Sequence, residues 1–148
     1  MGRSSLPRYM IRMKLIMRSS IIVLIMLSLL FGCSKDYSNL PQIAVDFEWP
    51  KANTYETSPE IILKNVPDST ELFQINMSDL DNRYNHGGGT VANDGSNLIP
   101  EGTLKKYEGP YPPGNSRPRY EISVKAVDEN GKVIAFGKKM KKFPPEPK

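Results

Sequence analysis

A single cysteine divides this chain into two stretches of different chemistry and so bounds what can fold. Cys33 is the only cysteine among 148 residues. It follows the run Ile21-Ile22-Val23-Leu24-Ile25-Met26-Leu27-Ser28-Leu29-Leu30-Phe31, and Arg12, Lys14 and Arg18 precede that run with no acid among them. A basic start, a short apolar stretch and a small residue before the cut form the secretory signal pattern. Leu30-Phe31-Gly32-Cys33 looks like a bacterial lipobox, with Leu at −3 and Gly at −1. The apolar run is well short of the ~20 residues that a spanning helix needs. The sequence therefore predicts a helical signal peptide over residues 1–32, cleavage before Cys33 and acylation of that residue. Acyl chains in the bilayer then provide the attachment, at about 0.8 kcal/mol for each buried CH₂. Ser34 rather than Asp follows the cysteine, so the expected address is the bacterial cell envelope, at the outer membrane.

Charge and redox chemistry read differently once that boundary is drawn. Removing 32 of the 148 residues leaves 116. Five of the twenty basic residues and none of the sixteen acids precede Cys33, so the remainder carries fifteen bases against sixteen acids, a net charge of −1. The sequence pI near 9.1 thus belongs to the signal and gives no argument for nucleic acid. Lys138, Lys139, Lys141 and Lys142 are the one basic cluster, expected as a solvated strand end. No thiol remains for a disulfide, so the fold must rest on its core.

Residues 33–43, with Ser34, Asp36, Ser38, Asn39 and Pro41, read as a lipidated tether with little to bury. Residues 44–148 read as one domain of short strands. Val45-Asp46-Phe47-Glu48-Trp49 alternates apolar and polar, the period of a half-buried strand, and Pro50 stops it. Glu60-Ile61-Ile62-Leu63 and Leu72-Phe73-Gln74-Ile75-Asn76-Met77 are the next candidates. From Arg119 to Val127, residues Tyr120, Ile122, Val124 and Ala126 share one face. Asp128-Glu129-Asn130-Gly131 is a turn, and Lys132-Val133-Ile134-Ala135-Phe136 returns as the hairpin partner. No window after the signal has helical periodicity. An antiparallel β-sandwich with few or no helices is the expected fold. Roughly 105 residues can hold one core and not two.

Polar features cluster in the second half. Asp79-Leu80-Asp81 follows a strand, and His86-Gly87-Gly88-Gly89 holds the only histidine. Gly109-Pro110-Tyr111-Pro112-Pro113-Gly114 reads as a rigid loop before Arg119-Tyr120. One His and two near-adjacent Asp do not have the spacing of a metal motif. His-Gly-Gly-Gly resembles an esterase oxyanion loop, but no Gly-x-Ser-x-Gly elbow accompanies it. The glycines are not followed by Lys-Ser/Thr, which excludes a P-loop. Taken singly, the aspartates read as turn caps, and no cofactor, metal or catalytic set is expected.

Taken in order, these segments resemble the phosphatidylethanolamine-binding protein family, the Raf kinase inhibitor-like group in its bacterial form. Ser58-Pro59-Glu60-Ile61-Ile62-Leu63-Lys64-Asn65-Val66-Pro67 is similar to the family's Ser-Pro-x-Leu-x-Trp-x-x-x-Pro. Asp79-Leu80-Asp81 falls where it has Asp-Pro-Asp-Ala-Pro, and His86 falls near its first histidine. Ile99-Pro100-Glu101-Gly102 and Tyr107-Glu108-Gly109-Pro110-Tyr111-Pro112-Pro113 follow in family order, then Arg119-Tyr120. Leu80 and Arg83 stand where the family has prolines, and Pro118 where it has a histidine, so an altered pocket is expected. The resemblance implies a shallow pocket for a phosphorylated or anionic small group, lined by Asp79, Asp81, His86, Gly109, Pro110 and Tyr120. Protonated His86, a tyrosine hydroxyl and loop N–H groups would donate to the anion. Arg119 is expected in a structural ion pair behind the pocket. The resulting expectation is a lipid-anchored, non-catalytic binding protein. The alternative is a surface lipoprotein that keeps the fold as a scaffold for a protein partner, with a hydrolase or transferase third.

Overall fold

Alternating burial dictates the architecture. The computed structural model describes residues 36–145, so the expected signal peptide and Cys33 lie outside the described residues. Eight strands follow in order: β1 (Ala44–Glu48), β2 (Glu60–Lys64), β3 (Leu72–Asp79), β4 (Tyr84–Ala92), β5 (Leu98–Ile99), β6 (Lys106–Tyr107), β7 (Arg119–Val127) and β8 (Val133–Lys142). No helix occurs among the described residues. The strands form two antiparallel sheets, β1-β2-β5 and β6-β4-β3-β7-β8. The expected all-β antiparallel fold is what is found.

β1, β2, β3 and β7 bury every second residue, as period-2 side chains require, and β4 and β8 do so over part of their length. Val45 and Phe47 from β1, Ile61 and Leu63 from β2 and Ile99 from β5 meet Phe73, Ile75 and Met77 from β3. Tyr120, Ile122, Val124 and Ala126 from β7 and Ala135 from β8 complete the same core. Full burial of one such large side chain contributes roughly 1.5–3 kcal/mol. Trp49 packs edge-on against Phe47, Tyr120 and Phe143, with ring centroids 5.1, 5.8 and 5.1 Å away. This aromatic cluster seals the core beneath the end of β7.

Two sequence expectations need correcting. The β7–β8 hairpin forms as read, but β8 continues to Lys142, and Lys141 is no solvated strand end. Its ammonium donates to the Phe47 carbonyl and to Glu48 (2.9 Å), and it pairs with Asp46 at 3.1 Å. Burial opposes that charge, but the Glu48 and Asp46 carboxylates outweigh it and hold the Lys141 pKa above 10.5. Residues 37–43, expected as part of a tether with little to bury, pack on the domain instead. Tyr37 stacks on Phe136 at 5.4 Å, Phe136 N–H donates to the Pro41 carbonyl (3.0 Å), and Ile43 N–H donates to the Phe136 carbonyl (2.8 Å). Ile43 is 4% exposed and belongs to the core. Glycine at 137 permits this close approach, because a Cβ there would collide with the Ile43 carbonyl.

Candidate functional site

The inward phase of β3 runs Phe73, Ile75, Met77 and then Asp79, so a carboxylate occupies the last core position of that strand. Asp79 is 3% exposed. Its Oδ1 accepts the N–H groups of Asp81 and Asn82, both at 2.9 Å, and its Oδ2 accepts Asn82 Nδ2 at 2.8 Å. Burial alone would raise its pKa. The Asn82 side chain, the two backbone N–H groups and the nearby His86 outweigh that, and the pKa falls below 3.8. Asp79 therefore stays charged at neutral pH while it caps the β3–β4 turn.

His86 arrives beside it through an irregularity in β4. Asn76 pairs with Gly88 and Ser78 with Asn85, so Met77 alone faces both His86 and Gly87. One residue opposite two is a β-bulge, which re-aims the side chains on the longer strand. Gly87 takes φ 73° and Gly88 φ 154° there, and a Cβ at either would strike the carbonyl of Lys106 or Ile75. The histidine-glycine run is thus a bulged strand, not the loop that its composition suggests. His86 is 4% exposed, and its Nδ1 lies 3.1 Å from the Glu108 carbonyl oxygen. Only a protonated nitrogen can donate there, so the geometry assigns the hydrogen to Nδ1 and leaves Nε2 for a ligand.

Asp79, Asn82, Tyr84, His86, Glu108, Tyr111 and Pro113 line one open recess of about 420 Å³. The Tyr84 ring sits edge-on to His86 at 4.8 Å, and its hydroxyl donates to Glu108 Oε2 at 2.7 Å. That hydrogen bond and the carboxylate's charge raise the Tyr84 pKa. Tyr111 stacks on Tyr55 at 4.9 Å. The recess therefore combines two carboxylates, one imidazole and two phenol rings. No group of three or more His, Cys, Asp or Glu side chains is placed to hold a metal among the described residues.

Of the residues singled out in the sequence, Asp79 and His86 line this recess. Tyr120 lies directly beneath it. It pairs with Asp79 across β3 and β7, takes the inward phase and is 0% exposed. Its ring meets His86 at 5.2 Å, while its hydroxyl is buried without a hydrogen bond of ordinary geometry. Burial first, then the adjacent Asp79 charge, push its pKa up to about 12. Asp81 turns outward instead. It accepts Arg119 Nε at 2.9 Å, Nη2 at 2.6 Å and the Arg119 N–H at 2.8 Å, an ion pair as expected of Arg119 but on the exposed surface rather than behind the recess. Gly109 and Pro110 are both buried. Gly109 donates its N–H to the Tyr55 carbonyl at 3.0 Å, and a Cβ there would collide with the Tyr55 backbone. They hold the loop that carries Glu108 and Tyr111 and do not themselves line the recess. Glu108, Tyr84 and Tyr111 were not among the sequence candidates. Tyr84 opens β4, and the approach of Glu108 and Tyr111 depends on β6, a strand of two residues with no periodicity to read.

The chain matches no family model and no curated protein.

Proposed function

We propose that this is a lipid-anchored, non-catalytic binding protein of the bacterial cell envelope. Its recess takes a small phosphorylated group that also carries an amine. The observation that carries this reading is that the Asp79 and Glu108 carboxylates share the recess with His86. A bare anion would meet two like charges there. A zwitterionic group would place its ammonium against the carboxylates and the faces of Tyr84 and Tyr111, where cations are also attracted. Its phosphate would accept from His86 in the cationic form. Support from the sequence is the order of Asp79, His86 and Tyr120 along the chain, as the resemblance to phosphatidylethanolamine-binding proteins implies, and the lipobox at Cys33.

The test is titration of isotope-labelled protein with phosphoethanolamine, inorganic phosphate and ethanolamine, followed by NMR. Phosphoethanolamine at millimolar concentration should shift the His86 and Tyr84 ring resonances more than either fragment does. His86→Ala should abolish the shifts at Tyr84. If none of the three compounds moves these resonances, the scaffold reading replaces this one. That second reading has its own support, since Asp81, Gly109, Pro110 and Tyr120 are engaged in structural contacts.

A further inference from the structure

We propose that the outer face of the five-stranded sheet is a docking surface for the acidic phospholipid headgroups of the membrane that anchors the chain. This rests on the reading that the anchor lies at Cys33. Strand register sets the pattern, because directly paired residues share a face. The line Lys106–Gly88–Asn76–Ser123–Lys138 crosses all five strands with a lysine at each end. The neighbouring line runs Thr90–Gln74–Lys125–Phe136. Further along, Met140 pairs with Glu121 and Lys142 with Arg119. The strand positions of this face thus carry Lys106, Lys125, Lys138, Lys142 and Arg119, with Glu121 as their one carboxylate. Asp81 answers Arg119 at 2.6 Å and Glu121 answers Lys138 at 3.1 Å, which leaves an excess of three cations. The whole chain from Cys33 onward has net charge −1, so this face concentrates positive charge that the rest of the surface more than cancels.

Shape adds to charge. Gly88, next to Lys106 in the line, leaves that place without a side chain, and a groove of about 360 Å³ opens there. Gln74, Asn76, Thr90, Ser123, Lys106 and Lys125 supply its polar lining, with no carboxylate among the lining residues. Amides, hydroxyls and ammonium groups can all donate to phosphate oxygens.

The chain also leaves the domain from this face. Tyr37 stacks on Phe136, and the Lys125 ammonium lies 5.0 Å from the centre of the Tyr37 ring. Tyr37 lies four residue steps after Cys33, and a fully extended chain of that length reaches at most about 14 Å. Acylation at Cys33 would therefore hold the lysine face within reach of the headgroups. Each lysine near an acidic bilayer surface strengthens association by about fivefold.

The experiment uses the full chain reconstituted in two kinds of vesicle, phosphatidylcholine alone and phosphatidylcholine with phosphatidylglycerol. A water-soluble amine reagent labels the lysines, and mass spectrometry gives a rate for each. Lys106, Lys125 and Lys138 should label about fivefold or more slowly on the acidic vesicles, and high salt should restore their rates. Lys51 and Lys64, away from this face, should label alike on both. Lys142 serves as the reporter in a triple variant, Lys106→Gln with Lys125→Gln and Lys138→Gln, whose fold is checked by circular dichroism. Its protection on acidic vesicles should be lost. Equal rates on the two vesicles, or slowing spread evenly over all lysines, would overturn the docking surface. Intact mass separately reads the acyl group. A chain that retained residues 1–32 would refute the anchor at Cys33 yet leave the labelling test valid, because either attachment enters ahead of Tyr37.

Discussion

Two hairpin turns in this protein use one device in different surroundings. At the β7–β8 turn, Asp128 Oδ1 accepts the N–H groups of Asn130 (3.0 Å) and Lys132 (2.9 Å). At the β3–β4 turn, Asp79 Oδ1 accepts those of Asp81 and Asn82, both at 2.9 Å. Each turn needs a residue at positive φ, Gly131 at 76° in the first and Arg83 at 54° in the second. The residues after Asp128 stand exposed in solvent. Asp79 is enclosed, with His86 and Tyr120 beside it and β4 bulged to bring the histidine there. The same local chemistry makes a turn in one place and the floor of a recess in the other. The capping bonds differ only in detail, running to the second and third N–H groups after Asp79 and to the second and fourth after Asp128. The main difference is therefore the set of strands packed around the carboxylate.

The largest test of that contrast concerns the glycines. Gly88 sits at φ 154° against the Ile75 backbone, whereas a Cβ at Gly131 would meet nothing within 4 Å. Gly88→Ala should cost roughly 3–5 kcal/mol, because a conformation confined to glycine is combined with a backbone collision. Gly131→Ala should cost about 1 kcal/mol for the positive φ alone. Urea denaturation of both variants measures the difference. Similar losses would mean that the bulge at the recess is no more constrained than an open turn.

How legible each region was in the sequence follows the same division. β1, β3, β7 and β8 could be read because alternating burial leaves alternating residue types, as in Tyr120, Ile122, Val124 and Ala126. β4 could not, because Gly87, Gly88 and Gly89 remove the side chains that would show a period and the bulge interrupts it. The docking of residues 37–43 rests on Tyr37 and Ile43 finding β8, which no local pattern announces. At the site, Asp79 and His86 were visible as residue types in a suggestive order. Glu108 and Tyr111 reach them through the two-residue strand β6 and a loop held by Gly109, a long-range arrangement that spacing alone does not encode. Asp81 looked equivalent to Asp79, but it lies two residues on, past the end of β3, where strand alternation no longer applies, and it pairs outside with Arg119.

An intermediate effect is expected from the capping carboxylates. Asp79 has a pKa below 3.8 despite its burial, so its charge is better accommodated in the fold than in the unfolded chain. Asp79→Ala should cost about 2–3 kcal/mol by removing hydrogen bonds to a charged acceptor. Asp128→Ala should cost about 0.5–1 kcal/mol, because its donors pass to water. The acid side carries a further signature. A carboxylate whose folded pKa is depressed contributes stability that is complete above the unfolded value of 3.8 and is lost as pH falls through the lower folded value. Asp79→Asn should therefore flatten the fall in stability below that pH, seen in thermal melts across the acid range. An unchanged acid limb would show that Asp79 gains nothing from its enclosure.

The smallest effect should come from making one turn more like the other. Arg83, four residues after Asp79, holds φ at 54°, a region costly for a residue with a Cβ, in the role that Gly131 fills three residues after Asp128. The side chain is exposed at the mouth of a shallow depression beside Tyr84 and Asn85, away from the core. Arg83→Gly removes the strain of positive φ and adds back some freedom to the unfolded chain, so the two terms partly cancel. A net stabilisation of about 0.5–1 kcal/mol is expected, read as a small rise in the denaturation midpoint with unchanged slope. The variant should leave the ring resonances of His86 and Tyr84 in place, because Asp79 and not Arg83 fixes the turn beneath them. A destabilised variant, or one whose His86 resonance moves, would mean that Arg83 helps to shape the recess and that the two turns differ in more than their surroundings.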